Sequence, residues 1–240
     1  MTTQPEISFE ELDQMIAWNC EEKDQKKFYS LRSYIDIKDL HLFWLGKELD
    51  YRGNLDRKQI EEFLLTGNFF SDYVFDFLQE HEDTAFRIKH FSYILSHFYR
   101  EQIKKQSGFL KSFFQFEREF LLVLSALRAK DLNRDIRWEL QYEDLADLFV
   151  QSILVQESNE EYIPPLHLEE LKHLYQAYRS KPHLLHKALE EYRFRKIQEL
   201  GGDNPFTMNR ILAYAMCLII VEDWVHLDIE KGRALVASLC

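Results

Sequence analysis

The residues that could do chemistry in this sequence are histidines, carboxylates and cysteines. Glu170 and His173 form the one Glu-x-x-His pair, whereas a carboxylate-bridged di-iron bundle needs two such pairs and glutamates from two further helices. His183 and His186 lie one helical turn apart and could share a metal ion, but the pattern supplies no third ligand. An all-helical metalloenzyme built on either pair therefore stays as one hypothesis.

No nucleophile, nucleotide or zinc-protease pattern is complete. The sequence lacks GxSxG, GxxxxGK[ST], GxGxxG and HExxH. Adjacent acidic pairs such as Glu61-Glu62 point about 100° apart on a helix, so they cannot converge as an acid and a base. Gly201-Gly202 is interpreted as a helix end, because glycine readily adopts the positive φ found there. We predict no catalytic site, no cofactor and no bound metal.

Charge and cysteine content limit the partners and the compartment. The 240 residues carry a formal net charge of −11, which repels a phosphate backbone, so we expect no nucleic-acid partner. Cys20, Cys217 and Cys240 are odd in number and far apart, which is typical of free thiols in the cytoplasm. The first residues lack the pattern of a signal peptide. The longest apolar run, 211–221, is too short to span a bilayer.

The elements that must position these residues are helices. Only 7 Gly and 5 Pro occur, too few for the turns of a sandwich, a barrel or a Rossmann sheet, and apolar residues recur at helical spacing. We predict about ten helices and no strand. Capping residues and glycines mark the early boundaries: Ser8 caps the first helix, Asp39 caps a second that ends near Gly53-Asn54, and Asp56 opens a third that ends at Gly67.

The central stretch is predicted to hold two long helices that meet near residues 106–108. The second is apolar nearly all round, so we expect it to lie inside the core. Trp44, Phe120 and Leu124 are the predicted core residues. Further helices are predicted over 142–155, 168–179, 182–200, 206–224 and 229–240. The many aromatic residues, 19 Phe, 12 Tyr and 4 Trp, fit either a filled core or a contact surface, and both alternatives stay open.

Two neighbouring segments carry a family resemblance. Phe116–Lys130, FEREFLLVLSALRAK, followed by Trp138–Asp144, WELQYED, resembles the family of C subunits of the V-type (A/V-type) ATP synthases, which are equivalent to the eukaryotic d subunits. The similarity is to the divergent group of chlamydiae, spirochaetes and Bacteroidetes. Residues 189–197, 209–214 and 220–224 are similar to that group as well. The start of this chain departs from it, because members begin with an aromatic-apolar stretch and a proline-containing segment.

The resemblance implies structural or interface residues rather than catalytic ones. The positions that match the family segments are Glu117, Arg118, Glu119, Arg128, Lys130, Tyr142, Glu143, Asp144, Tyr192, Arg193, Tyr214 and Glu222.

The resemblance also implies an architecture. The family fold consists of three similar helical modules in a funnel with a pseudo-threefold axis. Within one all-helical domain over residues 1–240, repeat modules are expected near 34–80, 115–160 and 200–240. The order of apolar helix, polar break and short acidic helix in 39–65 recurs in 122–150.

The function implied by the resemblance is mechanical. Such a protein is a non-catalytic part of the central stalk, or rotor. It binds the soluble shaft, formed by the D and F subunits, and the membrane rotor ring, and it is cytoplasmic and peripheral to the inner membrane. The alternative is a generic all-helical adaptor or scaffold that binds other partners. The adaptor is favoured if the three modules prove illusory.

Overall fold

The computed structural model describes residues 5–67 and 69–226. Within those ranges the regular structure is helical, without a strand, so the predicted all-α class is confirmed. The helices are α1 (Phe9–Asn19), α2 (Glu22–Trp44), α3 (Arg57–Thr66), α4 (Asp72–Glu80), α5 (Thr84–Lys89), α6 (Ser92–Lys105), α7 (Gly108–Asp131), α8 (Ile136–Glu139), α9 (Leu148–Leu154), α10 (Glu169–Tyr178), α11 (Pro182–Gly201) and α12 (Met208–His226), with a short 3-10 helix at Leu166–Leu168.

The chain divides into two compact units. The terminal unit comprises residues 1–29 and 190–240, and the central unit comprises residues 30–189. Helices α2 and α11 contribute residues to both units. The expected single domain and the expected funnel of three modules stay predictions, and the part of the third module beyond residue 226 lies outside the described residues.

In the terminal unit, α1 packs against α12. The predicted cap is confirmed, because Ser8 accepts a hydrogen bond from the Glu11 amide and Glu11 accepts one from the Ser8 amide. The buried Glu222 carboxylate accepts the Phe9 amide at 2.7 Å. This bond satisfies one of the amides that a helix start leaves without an intrahelical partner. The Phe9 ring also stacks on Phe28, with ring centroids 5.7 Å apart.

Helices α11 and α12 approach closely at Gly201. A Cβ atom at this position would lie 2.5 Å from the Cβ of Ala213, nearer than two carbon atoms can come. The next residue, Gly202, has φ +72°, which confirms the predicted helix end.

In the central unit, α7 is the core helix. It packs against α6, α8, α9 and α10, and it buries residues on all its sides, including Phe113, Phe114, Val123 and Ala126. Phe120 and Leu124 are buried as predicted. The predicted junction between two long helices near residues 106–108 is confirmed by the end of α6 and the start of α7.

The predicted second helix is wrong at both ends. Asp39 lies inside α2, not at its cap, and α2 ends at Trp44 rather than near Gly53. The apolar pattern continues upstream of Asp39, through Leu31 and Ile35, so the helix starts earlier. Trp44 is half-buried because it is the last residue of α2, with its ring beside Phe77 and Phe91.

Of the other predicted helix boundaries, those of α3 are confirmed and those of the helix after residue 142 are not. Asp56 and Gln59 form a capping box at α3, and Gly67 ends that helix with φ +77°, as predicted. The predicted helix over 142–155 is too long, because only 148–154 are helical. The predicted helix over 229–240 and Cys240 lie outside the described residues.

Candidate functional site

A buried arginine of α7 connects to the segment between α8 and α9. Arg118 is 6% exposed. Its Nε and Nη2 donate to Oε2 of Glu143 at 3.1 and 2.7 Å, and its Nη1 donates to Oδ2 of Asp147 at 2.9 Å. One guanidinium therefore holds two carboxylates that are four residues apart.

The charges of this cluster stabilise one another. Burial disfavours an ionised Asp147, but the Arg118 guanidinium and the amides of α9 outweigh burial and lower the pKa of Asp147. Burial also disfavours the charged form of Arg118, and the two carboxylates more than compensate, so the pKa of Arg118 is raised. Loss of one partner from a buried, paired cluster leaves an uncompensated charge, which is strongly destabilising.

Residues 143–148 form a compact turn that we call the clamped turn. The Asp147 amide donates to the Asp144 carbonyl at 3.0 Å, and the Ala146 amide donates to the Asp144 carboxylate at 2.9 Å. The second carboxylate oxygen of Asp147, Oδ1, accepts the Phe149 amide at 2.8 Å and so caps α9. The turn is fixed from both ends by Arg118 and from within by its own backbone.

The clamped turn exposes apolar side chains despite this fixed geometry. Leu145 is 53% and Leu148 is 81% exposed. Further exposed apolar residues lie before and after the turn in the sequence: Leu132, Trp138, Val155, Ile163 and Leu166. Single exposed leucines are ordinary on a protein surface, but apolar residues on an ordered turn suit contact with another protein.

Two tyrosines connect helix α7 and the clamped turn to other helices of the central unit. Glu117, beside Arg118, is buried and accepts the Tyr34 hydroxyl of α2 at 2.9 Å. Tyr142, just before the clamped turn, places its hydroxyl 2.6 Å from Nδ1 of His90. The Tyr142 carbonyl accepts the Ser96 hydroxyl of α6.

The structure brings five of the twelve family-matching positions together at this place: Glu117, Arg118, Tyr142, Glu143 and Asp144. Three others lie elsewhere on α7. Glu119 is 3.0 Å from His167 Nε2, Lys130 donates to the Glu157 and Asn159 carbonyls, and Arg128 is exposed.

The last four family-matching positions belong to the terminal unit. Tyr192 is buried, with Arg195 and Lys196 beside its ring. Arg193 pairs with Glu190 at 2.8 Å, Tyr214 is 41% exposed, and Glu222 accepts the Phe9 amide.

Sequence reasoning missed Asp147. Its spacing of four residues from Glu143 is a signal that both could reach one cation, but nothing local identifies Arg118 as that cation.

A second polar cluster that sequence reasoning missed holds the loop after α2. Asp36 accepts the Asn54 and Leu55 amides at 2.6 and 3.1 Å. Asp39 accepts the Asp50 amide at 2.9 Å. Burial raises the pKa of Asp36 to about 6 and that of Asp39 to about 7. Asp39 therefore does not cap a helix: it lies inside α2, and its carboxylate binds the loop that follows.

The close fit of this loop depends on Gly53. A Cβ atom there would lie 2.9 Å from Asp36 Oδ1 and 3.1 Å from Asp39 Oδ2. A larger residue would push the loop away from the two carboxylates.

The metal hypotheses gain no third ligand in the described part of the chain. No group of three His, Cys, Asp or Glu residues within 5–67 and 69–226 could hold a metal ion. His173, His183 and His186 are exposed. No helix among the described residues is both long and apolar enough to cross a membrane.

Comparisons with known proteins identify relatives along the whole chain. A family model described as "Protein of unknown function (DUF2764)" matches residues 1–240. An uncharacterized protein of Chlamydia pneumoniae is 29% identical over 238 residues, which cover 97% of this chain and 90% of the relative. An uncharacterized protein of Chlamydia trachomatis serovar D is 26% identical with the same coverage. No solved structure matches this chain.

Proposed function

This chain belongs to the DUF2764 family, and we propose that it is a non-catalytic central-stalk (rotor) component of a V-type ATPase or ATP synthase. In this role it couples the soluble D–F shaft to the membrane rotor ring. It acts in the cytoplasm, peripheral to the inner membrane, through the assembled complex.

The observation that carries the proposal is the position, in the structure, of the residues that resemble the V-type C subunits. The two segments that resemble the V-type C subunits, 116–130 and 138–144, contribute Arg118 and Glu143 to the same buried ion pair. The resemblance therefore covers residues that fix the centre of the fold and not only exposed helix faces. The relatives in chlamydiae agree with the bacterial group to which the resemblance points.

The physical character of the central unit also supports a mechanical role. A part that transmits torque must resist deformation, and close-packed helical interiors have low compressibility. Helix α7 buries most of its apolar residues, and its buried polar residues Glu117 and Arg118 are paired. Such a body can carry force between two interfaces without a reactive centre of its own.

Binding to the shaft tests the proposal. The purified chain is titrated by calorimetry into a co-expressed D–F complex, with an unrelated coiled coil as the control. We expect one-to-one binding to the shaft and none to the control. A folded chain that does not bind the shaft at tens of micromolar would overturn the proposal and favour the generic adaptor.

A further inference from the structure

The clamped turn combines a fixed backbone with exposed apolar side chains. Arg118 holds Glu143 and Asp147, and the Gln151 side chain donates to the Leu145 carbonyl at 3.1 Å. An interface formed by a preorganised turn loses little conformational entropy on binding. Leu145 and Leu148, which lie three residues apart, therefore form a ready contact for a protein partner.

The charge around the clamped turn restricts the chemistry of that partner. Residues 131–161 include nine acidic and two basic residues, and four of the carboxylates, those of Asp131, Glu139, Glu157 and Glu161, pair with arginine or lysine side chains. Glu143 and Asp147 are neutralised by Arg118, whereas Asp144, directly beside Leu145, is exposed. An acidic surface repels nucleic acid and anionic lipid headgroups, and it attracts a basic protein surface.

We infer that the clamped turn is the docking site for a basic, partly apolar segment of the soluble shaft. Leu145 and Leu148 enter an apolar recess of that segment, and Asp144 faces a lysine or an arginine beside it. The inference rests on the proposed function. It names the shaft rather than the ring because the ring lies at the membrane surface, where anionic headgroups disfavour an acidic segment.

The apolar part of the inference is tested with a double variant, Leu145→Ser with Leu148→Ser. Both leucines are exposed, so the substitutions leave the core intact. The matched control is Leu65→Ser, since Leu65 on α3 is 87% exposed in the same unit. In calorimetric titration into the D–F shaft, we expect the double variant to bind about tenfold more weakly or worse. Leu65→Ser should bind as the wild type does.

The charge part is tested by Asp144→Asn, which keeps an acceptor for the Ala146 amide, with Glu62→Gln on the exposed surface of α3 as the control. We expect Asp144→Asn to associate with the shaft several-fold more slowly at low salt, because charge near an interface acts mainly on the association rate. The difference from the wild type should shrink as salt is added. Stopped-flow or surface binding kinetics measures both rates.

The outcomes separate the inference from the proposed function. If the wild type does not bind the shaft, the proposed function is overturned and the inference with it. If the wild type binds and the double variant, with an unchanged thermal melting curve, binds equally well, the inference alone is overturned. Binding lost in the double variant and kept in Leu65→Ser supports both.

Discussion

Arg118 is expected to contribute strongly to the stability of the folded chain. Arg118→Ala leaves Glu143 with most of its side chain buried and no cation, and it also releases Asp147. We expect the free energy of unfolding to fall by about 3–5 kcal/mol. Urea denaturation at neutral pH measures the change.

Arg128→Ala is the control for that experiment, because Arg128 is on the same helix but exposed. We expect it to change the free energy of unfolding by less than about 1 kcal/mol. Equal losses in the two variants would show that the buried ion cluster does not stabilise the fold.

Asp39 is expected to make stability depend on pH. Burial raises its pKa to about 7 in the folded chain, whereas the unfolded value is near 4. The folded state therefore holds the proton over a range in which the unfolded state has lost it. The stability that this proton contributes is fully present below about pH 4 and disappears as the pH rises through about 7.

Asp39→Asn tests this dependence. The variant keeps an acceptor for the Asp50 amide and cannot ionise. Between about pH 5 and pH 8, we expect the wild type to lose on the order of 2 kcal/mol more than the variant. Urea titrations at both pH values measure the difference, and Glu62→Gln, an exposed carboxylate, is the control. Parallel losses in wild type and Asp39→Asn would contradict the prediction.

At the scale of elements, α7 determines the stability of the central unit. Leu124→Ala removes a buried side chain from this helix, and we expect a loss of about 2–5 kcal/mol in the free energy of unfolding. Leu121→Ala, on the more exposed side of the same helix, should cost less than about 1 kcal/mol. Denaturant unfolding of both variants checks the expectation, and a small loss for Leu124→Ala would show that this side of α7 does not pack in the core.

The contact of α11 with α12 in the terminal unit gives a second prediction at this scale. Gly201→Ala places a Cβ atom against Ala213, and we expect overpacking to cost about 1–3 kcal/mol. Combining it with Ala213→Gly removes the clash and should restore part of the loss. Thermal unfolding of the single and double variants measures both, and no recovery in the double variant would mean that the clash is not the cause.

At the scale of the whole molecule, the net charge of −11 gives a prediction about binding. For the proposed shaft complex, raising the salt concentration from about 0.05 to 0.5 M should slow association far more than it changes dissociation, because mobile ions screen long-range attraction. Kinetic binding measurements at several salt concentrations test this. An association rate independent of salt would show that the acidic surface does not guide docking.

The helical class and several helix ends were predictable from the sequence because they depend on short-range chemistry. Ser8 and Asp56 cap helices through residues three positions away, and Gly67 ends a helix through its own φ. Asp39 was misinterpreted for the same reason. An aspartate before an apolar run is typical of a cap, and only its contact with Asp50 shows its different role.

The sequence by itself determined that the chain is helical and acidic and that α7 is a core helix, because composition and periodicity are local properties. Only the tertiary structure decided which residues meet. Arg118 reaches carboxylates 25 and 29 residues away, and no rule of spacing identifies such partners. The exposure of Leu145 and Leu148 also depends on how the turn is held against α7, since an apolar residue in a sequence is equally compatible with a core or a surface.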